Sequence, residues 1–314
     1  MPRKVILDCD PGIDDAVAIT MALFDPRLEV VAITATAGNV SASQATANVQ
    51  AIVEQLDPPR FPRLGAATAS ETQAIGKAKH LYGEDGLGNA GFAVSQLARQ
   101  HAAEKIICDE VRAASGEVTL LCLGPLTNVA RALQRDPDLV DHLARVVIMG
   151  GSANGIGNVT PTAEFNIHSD PISARQVFHS VAHKTLIPLD VTSQVQFSLD
   201  FFDRFPRDDS RAGRFLRKIV PHLYRAYRLE LGQECIQLPD AVALSAVLQP
   251  ELFTMHDLHG DVETQGELTL GQTTFDRRPN RPRQTNIEVA LEVDAIAVAD
   301  TIARCIQESG RQTS

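Results

Sequence analysis

The sequence predicts an α/β protein with an open, mainly parallel sheet flanked by helices. Short apolar runs alternate with helical patterns from the N-terminus onward, which is typical of βαβ units. Several runs are almost wholly apolar, as expected of parallel strands buried on both faces. The 314 residues show no internal repeat, low-complexity linker or break in composition, so we expect one domain over residues 1–314.

The individual elements are predicted from apolar runs, helical periodicity and capping residues. Strands are expected at 4–7, 29–35, 118–123, 145–149 and 184–189. Helices are expected at 14–24, at 41–56 with Ser41 as the N-cap, at 126–134, and from near Asp170. The last third predicts a wholly helical segment at 198–232, a helix at 241–248 after Pro239, strands at 267–270 and 286–293 joined by a polar connection over 277–283, and a final helix from Ala295.

The charge composition argues against nucleic acid and anionic membranes as binding partners. The chain carries 29 basic and 39 acidic side chains, a net charge of −10, and has no long basic run. Binding to nucleic acid or to an anionic membrane would oppose this field, so we expect neither. The N-terminus leads directly into a strand, and no apolar stretch approaches ~20 residues, so a cytoplasmic location is expected. The 5 cysteines lack CxxC spacing and predict neither a disulfide framework nor a zinc site.

Four aspartates, Asp8, Asp10, Asp14 and Asp15, lie where the first strand meets the first helix. Ligands of open α/β sheets bind at the carboxyl ends of strands, and the Pro-Gly pair at 11–12 forces a turn at that place. Crowded carboxylates favour a hard cation, Ca²⁺ or Mg²⁺, over zinc. The alternative is that Asp14 and Asp15 only stabilise the positive end of the helix dipole.

The run VILDCDPGIDDAVAI resembles the N-terminal signature of the inosine-uridine type nucleoside hydrolases. Further similar blocks follow in the same order along almost the whole chain, namely TAGN at 36–39, GEDGLG at 83–88, GPLTN at 124–128, MGG at 149–151, AEFNIHSDP at 163–171 and LTLGQTTFD at 268–276. The resemblance implies an open α/β fold and cleavage of a ribonucleoside into ribose and a free base.

The resemblance also implies one Ca²⁺ per chain, held by Asp10, Asp15, the backbone carbonyl of Leu123, and Asp240. A cation lowers the pKa of its bound water, and a carboxylate then takes the proton, so Asp10 is the expected general base for attack on the anomeric carbon. The carboxylate-rich pocket would stabilise an oxocarbenium-like transition state. Relatives commonly form dimers or tetramers, so a homodimer or homotetramer is expected.

Ribose and base contacts are likewise carried over from the resemblance. A polyol needs both donors and acceptors, which amides and carboxylates supply. The residues implied as substrate contacts are Asp14, Asn39, Tyr82, Met149, Asn158, Glu164, Asn166, Tyr227 and Arg228, with Asp14 and Tyr227 also counted as catalytic. Taken alone, Asn39 is typical of a turn, Glu164 and Asn166 of a loop before a helix, Met149 and Tyr227 of packing residues, and Arg228 of a solvated charge.

Two residues depart from the family pattern on the side of the leaving base. Pro239 stands where the best-known members have a histidine before the last metal-binding aspartate, and Tyr82 stands where a second histidine precedes GEDG. Proline cannot donate a proton. The expected substitute is Tyr227, with Tyr224, His222, Arg228, His80 and Tyr82 as further candidates.

Two other functions compete with hydrolysis. A DxD pair after a strand also opens phosphatases with an aspartyl nucleophile, but Gly12 stands where those enzymes usually have Thr or Val, and they do not need the AEFN or GPLTN blocks. The other alternative is a noncatalytic, ribose-ligand-sensing relative that keeps the metal site but lacks the leaving-group acid. Turnover of an activated nitrophenyl riboside distinguishes a hydrolase from such a noncatalytic relative, because a good leaving group needs little protonation.

Overall fold

The computed structural model describes residues 2–69, 78–95, 100–279 and 283–314. Its strands are β1 (Arg3–Cys9), β2 (Leu28–Ala35), β3 (Arg63–Ala66), β4 (His101–Ala102), β5 (Val118–Cys122), β6 (Leu143–Met149), β7 (Lys184–Ile187), β8 (Gln196–Phe197), β9 (Ile236–Gln237), β10 (Phe253–Val262), β11 (Thr273–Asp276) and β12 (Ile287–Val293). Ten of them form one sheet in the order β11-β10-β12-β7-β6-β5-β1-β2-β3-β4, and β8 pairs with β9. Within the described residues of the large sheet, β10 alone runs in the direction opposite to the other strands. The predicted open, mainly parallel sheet is therefore confirmed.

Helices cover both faces of this sheet. They are α1 (Ile13–Phe24), α2 (Ala42–Leu56), α3 (Lys79–Tyr82), α4 (Ala103–Ala113), α5 (Thr127–Arg135), α6 (Phe165–Ser169), α7 (Pro171–His179), α8 (Leu189–Thr192), α9 (Arg211–Ala226), α10 (Pro239–Leu248) and α11 (Ala295–Gln312). Helices α1, α2, α9, α10 and α11 pack on one face, and α4, α5 and α7 pack on the other. Strand β1 is buried from Val5 onward because it lies between these two layers. Among the described residues, no helix is both long and apolar enough to cross a bilayer.

The segment at 198–232 is not one helix, and this prediction is wrong. A 3-10 helix spans Leu199–Arg204, and the chain then leaves the helical conformation around Pro206. Ser210 restarts a helix by accepting a hydrogen bond from Gly213 N at 3.0 Å. Helix α9 then continues into a π-helical turn over Tyr227–Leu231, a local widening that is frequent at functional sites.

The strand predicted at 267–270 is also wrong. These residues form a turn, and Leu268 is 83% exposed. The hydrogen bond from Gly271 N to Glu263 O, 2.8 Å long, closes the turn into a hairpin loop between β10 and β11. Gly271 adopts a φ of +80°, which favours glycine. Residues 280–282 of the predicted polar connection lie outside the described residues.

Candidate active site

A turn between β1 and α1 places the first aspartates at the carboxyl edge of the sheet. Gly12 N donates a hydrogen bond to Asp15 Oδ2 at 2.8 Å, which anchors the start of α1. A Cβ atom at position 12 would lie 3.0 Å from both Asn39 Nδ2 and Asp14 Oδ1. Glycine is therefore needed here because several polar side chains converge on the turn.

Asp10 lies in a notch formed by two other glycines. A Cβ atom at Gly38 would be 2.0 Å from Asp10 Oδ2, and one at Gly124 would be 2.6 Å from Asp10 Oδ1. Asn39 N donates to Asp10 Oδ2 at 2.8 Å, and Asn39 Nδ2 donates to the Asp10 carbonyl at 3.0 Å. The TAGN and GPLTN blocks thus both hold the expected general base in a fixed orientation.

Asp14, Asp15 and Asp240 form a compact carboxylate cluster. Each offers an oxygen, and the three oxygens lie within 4.8 Å of one another. Asp240 joins from the first turn of α10, directly after Pro239 at the helix start. Asp10 lies close to this cluster, because burial raises its pKa and the charges of Asp15 and Asp14 raise it further. The structure therefore brings together aspartates that are more than 220 positions apart in the chain.

The electrostatics of this cluster call for a cation. Burial first, and neighbouring carboxylates second, raise the pKa of Asp10, Asp15 and Asp240 well above the ordinary value. Burial also raises the pKa of Asp14, to about 6. Asp14 Oδ1 and Asp15 Oδ1 are buried without a hydrogen-bond partner, and no ion pair among the described residues neutralises the cluster. Hard oxygen donors with unmet bonding capacity fit a divalent cation such as Ca²⁺ or Mg²⁺.

The Leu123 carbonyl follows β5, beside the notch that holds Asp10. It accepts a hydrogen bond from Asn166 Nδ2 at 2.7 Å. The same amide nitrogen lies 3.3 Å from both the carbonyl oxygen and the Sδ atom of Met149. Asn166 and Met149, both predicted as substrate contacts, are therefore next to the predicted carbonyl ligand.

Glu164 and Asn158 are engaged with the backbone around α6. Glu164 accepts hydrogen bonds from Asn166 N at 2.9 Å, Ile167 N at 3.1 Å and Gly151 N at 3.0 Å. Asn158 Oδ1 accepts from Phe165 N at 2.9 Å. Both side chains thus shape the loop before α6, and a ribose contact would use their remaining hydrogen-bonding capacity.

Two tyrosines flank Asp14. Tyr82 and the buried Tyr227 both lie close enough to Asp14 for its charge to act on their hydroxyls. Burial first, and the charge of Asp14 second, raise the pKa of both phenols. Both tyrosines are therefore protonated at neutral pH, which leaves each with one proton to donate.

The other candidate proton donors are not brought to the carboxylates. Arg228 is exposed and lies 3.7 Å from Glu234. The Tyr224 hydroxyl donates to Ser198 O at 2.9 Å, and the His80 side chain is exposed on α3. His222 packs against the loop glycine Gly88. Of the four candidate donors on α9 and its π-helical turn, only Tyr227 lies beside Asp14.

One supporting network was missed by the sequence reasoning. Asp8 is buried near the end of β1, two residues before Asp10. It accepts hydrogen bonds from Thr34 Oγ1 at 2.6 Å and from Asn128 Nδ2 at 2.8 Å. Asn128 Nδ2 also donates to Ala35 O at 2.8 Å. These bonds fix the ends of β1 and β2 to each other and to the start of α5. The sequence contained a signal for this network, because Asp8 and Asn128 each belong to a block that resembles the family pattern.

Fold and site together define an α/β enzyme with a buried carboxylate centre at the carboxyl edge of a mainly parallel sheet. Residues 5–300 match the family described as inosine-uridine preferring nucleoside hydrolase. The chain belongs to this family and is a nucleoside hydrolase.

Individual relatives cover nearly the whole chain. A non-specific ribonucleoside hydrolase, RihC, of Salmonella enteritidis is 39% identical over 295 residues, 92% of this chain and 94% of the relative. The inosine-uridine preferring nucleoside hydrolase of Crithidia fasciculata is 33% identical over 297 residues, 94% of each chain. Among solved structures, a purine-preferring ribonucleoside hydrolase from Gardnerella vaginalis has a TM-score of 0.90 at 30% identity, covering 98% of this chain and 100% of that one. A plant nucleoside hydrolase has a TM-score of 0.89 at 30% identity, covering 98% and 99%.

Proposed function

We propose that this protein hydrolyses the N-glycosidic bond of ribonucleosides to ribose and a free base, and that it depends on one Ca²⁺ per chain. The observation that carries the proposal is the buried carboxylate cluster, in which Asp14 Oδ1 and Asp15 Oδ1 have no partner. Asp10, Asp15, Asp240 and the Leu123 carbonyl would hold the cation. When bound, the cation would neutralise the carboxylates, bind ribose hydroxyls and lower the pKa of a water molecule.

Asp10 acts as the general base in this proposal. Its carboxylate is held by Asn39 N and by close contact with Gly38 and Gly124, so it has little freedom to rotate. It takes a proton from the attacking water as the oxygen bonds to the anomeric carbon and the bond from that carbon to the base breaks. The nearby carboxylates stabilise the positive charge that develops on the ribose ring.

Tyr227 is the proposed donor of the proton that the departing base takes up. It lies beside Asp14, and because burial and the charge of Asp14 raise its pKa, it keeps its proton at neutral pH. A phenol with a raised pKa is a weak acid, so this route gives modest assistance. We expect substrates whose base leaves readily to be preferred over inosine.

Asn39, Asn158, Asn166, Glu164 and Asp14 are proposed to contact ribose. Asn39 and Asp14 meet over Gly12, and Asn166 lies next to the Leu123 carbonyl, so these three border the proposed cation site. Tyr82 and Met149 also line this region. Arg228 is directed to Glu234 instead, so nothing in its contacts supports a role toward substrate.

A screen of ribonucleosides, deoxyribonucleosides and nicotinamide riboside with a reducing-sugar readout tests the activity. We expect release of ribose that disappears with a chelator and returns with Ca²⁺. Chelation should also lower the unfolding temperature, since a ligand that binds only the folded state stabilises it. Mg²⁺ supplied in place of Ca²⁺ tests the identity of the metal.

The competing function is a ribose-ligand sensor without turnover, favoured by Pro239 and Tyr82 where histidines are expected. A sensor would bind ribose ligands and cation but would not cleave nitrophenyl riboside, whose leaving group needs no acid. Cleavage of that riboside rejects the sensor.

A further inference from the structure

One buried amide connects the segments that follow β1, β2 and β5 and meet around Asp10. It belongs to Asn128, in the first turn of α5, which is 1% exposed. Its Nδ2 atom donates to Asp8 Oδ1 and to Ala35 O, each at 2.8 Å. A single side chain therefore ties the ends of β1 and β2 to the start of α5, the helix that follows β5.

The bond to Asp8 closes a small ring around the Leu123 carbonyl. Leu123 N donates to Asp8 O at 2.7 Å, and the Asn128 side chain returns to the side chain of the same aspartate. The segment 123–128 is thus held to one residue of β1 at both ends. Fully paired buried networks of this kind are rigid, so the peptide carbonyl between the two anchors has little freedom to turn.

The bond to Ala35 supports the segment that holds Asp10. Ala35 is followed directly by the TAGN block, whose Asn39 N donates to Asp10 Oδ2 at 2.8 Å. A Cβ atom at Gly124 would lie 2.6 Å from Asp10 Oδ1 and 2.8 Å from Thr36 Cγ2. The segments after β2 and β5 therefore touch at this carboxylate, and a shift of either segment would move Asp10 relative to the Leu123 carbonyl.

Resting on the cation-dependent function proposed above, we infer that Asn128 is a positioning residue for the cation. Acting through Asp8 and Ala35, it fixes the Leu123 carbonyl relative to Asp10. An amide nitrogen carries two hydrogens, and these two bonds use both, so Asn128 Nδ2 has no donor left for substrate.

A role in stability alone has a different consequence. Loss of a buried double donor leaves Ala35 O without its side-chain partner and lowers stability in either case. Only a positioning role also weakens the affinity of the folded protein for the cation. Residues that orient metal ligands typically change metal affinity by ~10- to 100-fold when they are replaced.

The test therefore measures Ca²⁺ binding without substrate, so it does not depend on turnover. Asn128→Leu removes both donors at similar side-chain size. In calorimetric titrations of the metal-free, folded protein, we expect the Kd for Ca²⁺ to rise by ~10- to 100-fold. Thermal unfolding in chelator measures the loss of stability separately.

Thr34→Val is a milder second variant, which decides the question if Asn128→Leu does not fold. It removes the hydroxyl that donates to Asp8 Oδ1 at 2.6 Å and nearly keeps the shape of the side chain. It loosens the same anchor from the other side, so we expect the Kd to rise by about three- to tenfold, below the range for a full outer-shell loss.

Asn286→Leu is the matched control. Asn286 Nδ2 also donates to two backbone carbonyls, Phe178 O and Gly260 O, each at 3.0 Å. Asn286 directly precedes β12, which runs parallel to β7, so it lies at the amino edge of the sheet, opposite the carboxylates. Its replacement should lower the unfolding temperature and leave the Kd for Ca²⁺ within about twofold of the wild-type value.

The inference is overturned if folded Asn128→Leu, or Thr34→Val in its place, binds Ca²⁺ with wild-type affinity. It is also overturned if Asn286→Leu weakens Ca²⁺ binding as much, because the effect would then follow from general destabilisation. The proposed hydrolytic function fails by a different result, in which the wild-type protein binds Ca²⁺ but cleaves no riboside.

Discussion

Helix α1 has buried acids at both ends, and the two ends handle their charge differently. At the C-terminal end, Arg27 lies 2.6 Å from Asp25 Oδ2 through Nη2 and 2.9 Å from Oδ1 through Nε. Burial raises the pKa of Asp25, but the hydrogen bonds and charge of Arg27 outweigh it and lower the pKa below the ordinary value. At the N-terminal end, Asp14 and Asp15 face further carboxylates and their pKa values are raised.

This difference distinguishes a buried carboxylate with a structural role, Asp25, from buried carboxylates that await a ligand, Asp14 and Asp15. A carboxylate at a helix C-terminus opposes the helix dipole, so Asp25 needs a cationic partner, which the chain supplies two residues later. Asp14 and Asp15 already benefit from the dipole, yet no cationic side chain in the described part of the chain pairs with them, and they lie close to Asp240. Where a chain leaves buried charge uncompensated, the missing partner is a ligand or a metal.

The largest effect is expected for Asp10→Asn, which alters the carboxylates near the N-terminal end of α1, where no cationic side chain of the described residues balances their charge. We expect turnover of nitrophenyl riboside to fall by ~10⁵ or more, because the general base and part of the charge stabilisation are lost together. The pKa of Asp10 is higher in the folded protein than in the unfolded chain, so its ionised form destabilises the fold at neutral pH. In chelator, the variant should therefore unfold at the same temperature as the wild-type protein or higher. Activity within tenfold of the wild-type rate would contradict the assignment.

A substrate change probes the same end of the helix without altering the protein. If Asp14, Asn39 and the cation engage the 2′ and 3′ hydroxyls, removal of one hydroxyl leaves buried polar groups unpaired. Such losses reduce kcat/KM by ~10⁴. We expect uridine to exceed 2′-deoxyuridine by about this factor. Similar kcat/KM values for the two would show that the pocket is wrongly assigned.

Tyr227→Phe tests the proton donor beside Asp14. General acid assistance is worth ~10² to 10⁴ in rate, and a weak acid should lie at the lower end. We expect inosine to slow by ~10² and nitrophenyl riboside by less than about threefold. Equal slowing of the two substrates would identify Tyr227 as a packing or ribose contact.

Asp25→Asn, at the compensated end, should have the smallest effect on rate. Removing the acid leaves Arg27 without its charged partner, which should lower the free energy of unfolding by about 1–3 kcal/mol. For a protein of this size that corresponds to a fall of a few degrees in the unfolding temperature. Turnover should stay within about twofold of the wild-type rate. A large loss of activity at unchanged stability would remove the distinction between the two ends.

Parts of the molecule with strong local signals were predictable. The apolar runs of β1, β2, β5, β6 and β7 and the Ser41 cap are local properties, and the structure confirms them. The errors at 198–232 and 267–270 arose where local pattern and tertiary context disagree. Pro206 interrupts an otherwise helical pattern, and two glycines turn a strand-like run into a hairpin loop.

The sequence by itself determined the α/β class, the family resemblance and the carboxylate run at the end of β1, because each depends on residues close together in the chain. The family resemblance already implied that Asp240 joins the first aspartates. Only the tertiary structure decided that Tyr227 and Tyr82 flank Asp14, and that Arg228 and Tyr224 do not. Those juxtapositions depend on how α3, α9 and α10 pack over the edge of the sheet. Side-chain spacing along one helix permits several orientations, and packing against other elements selects one of them.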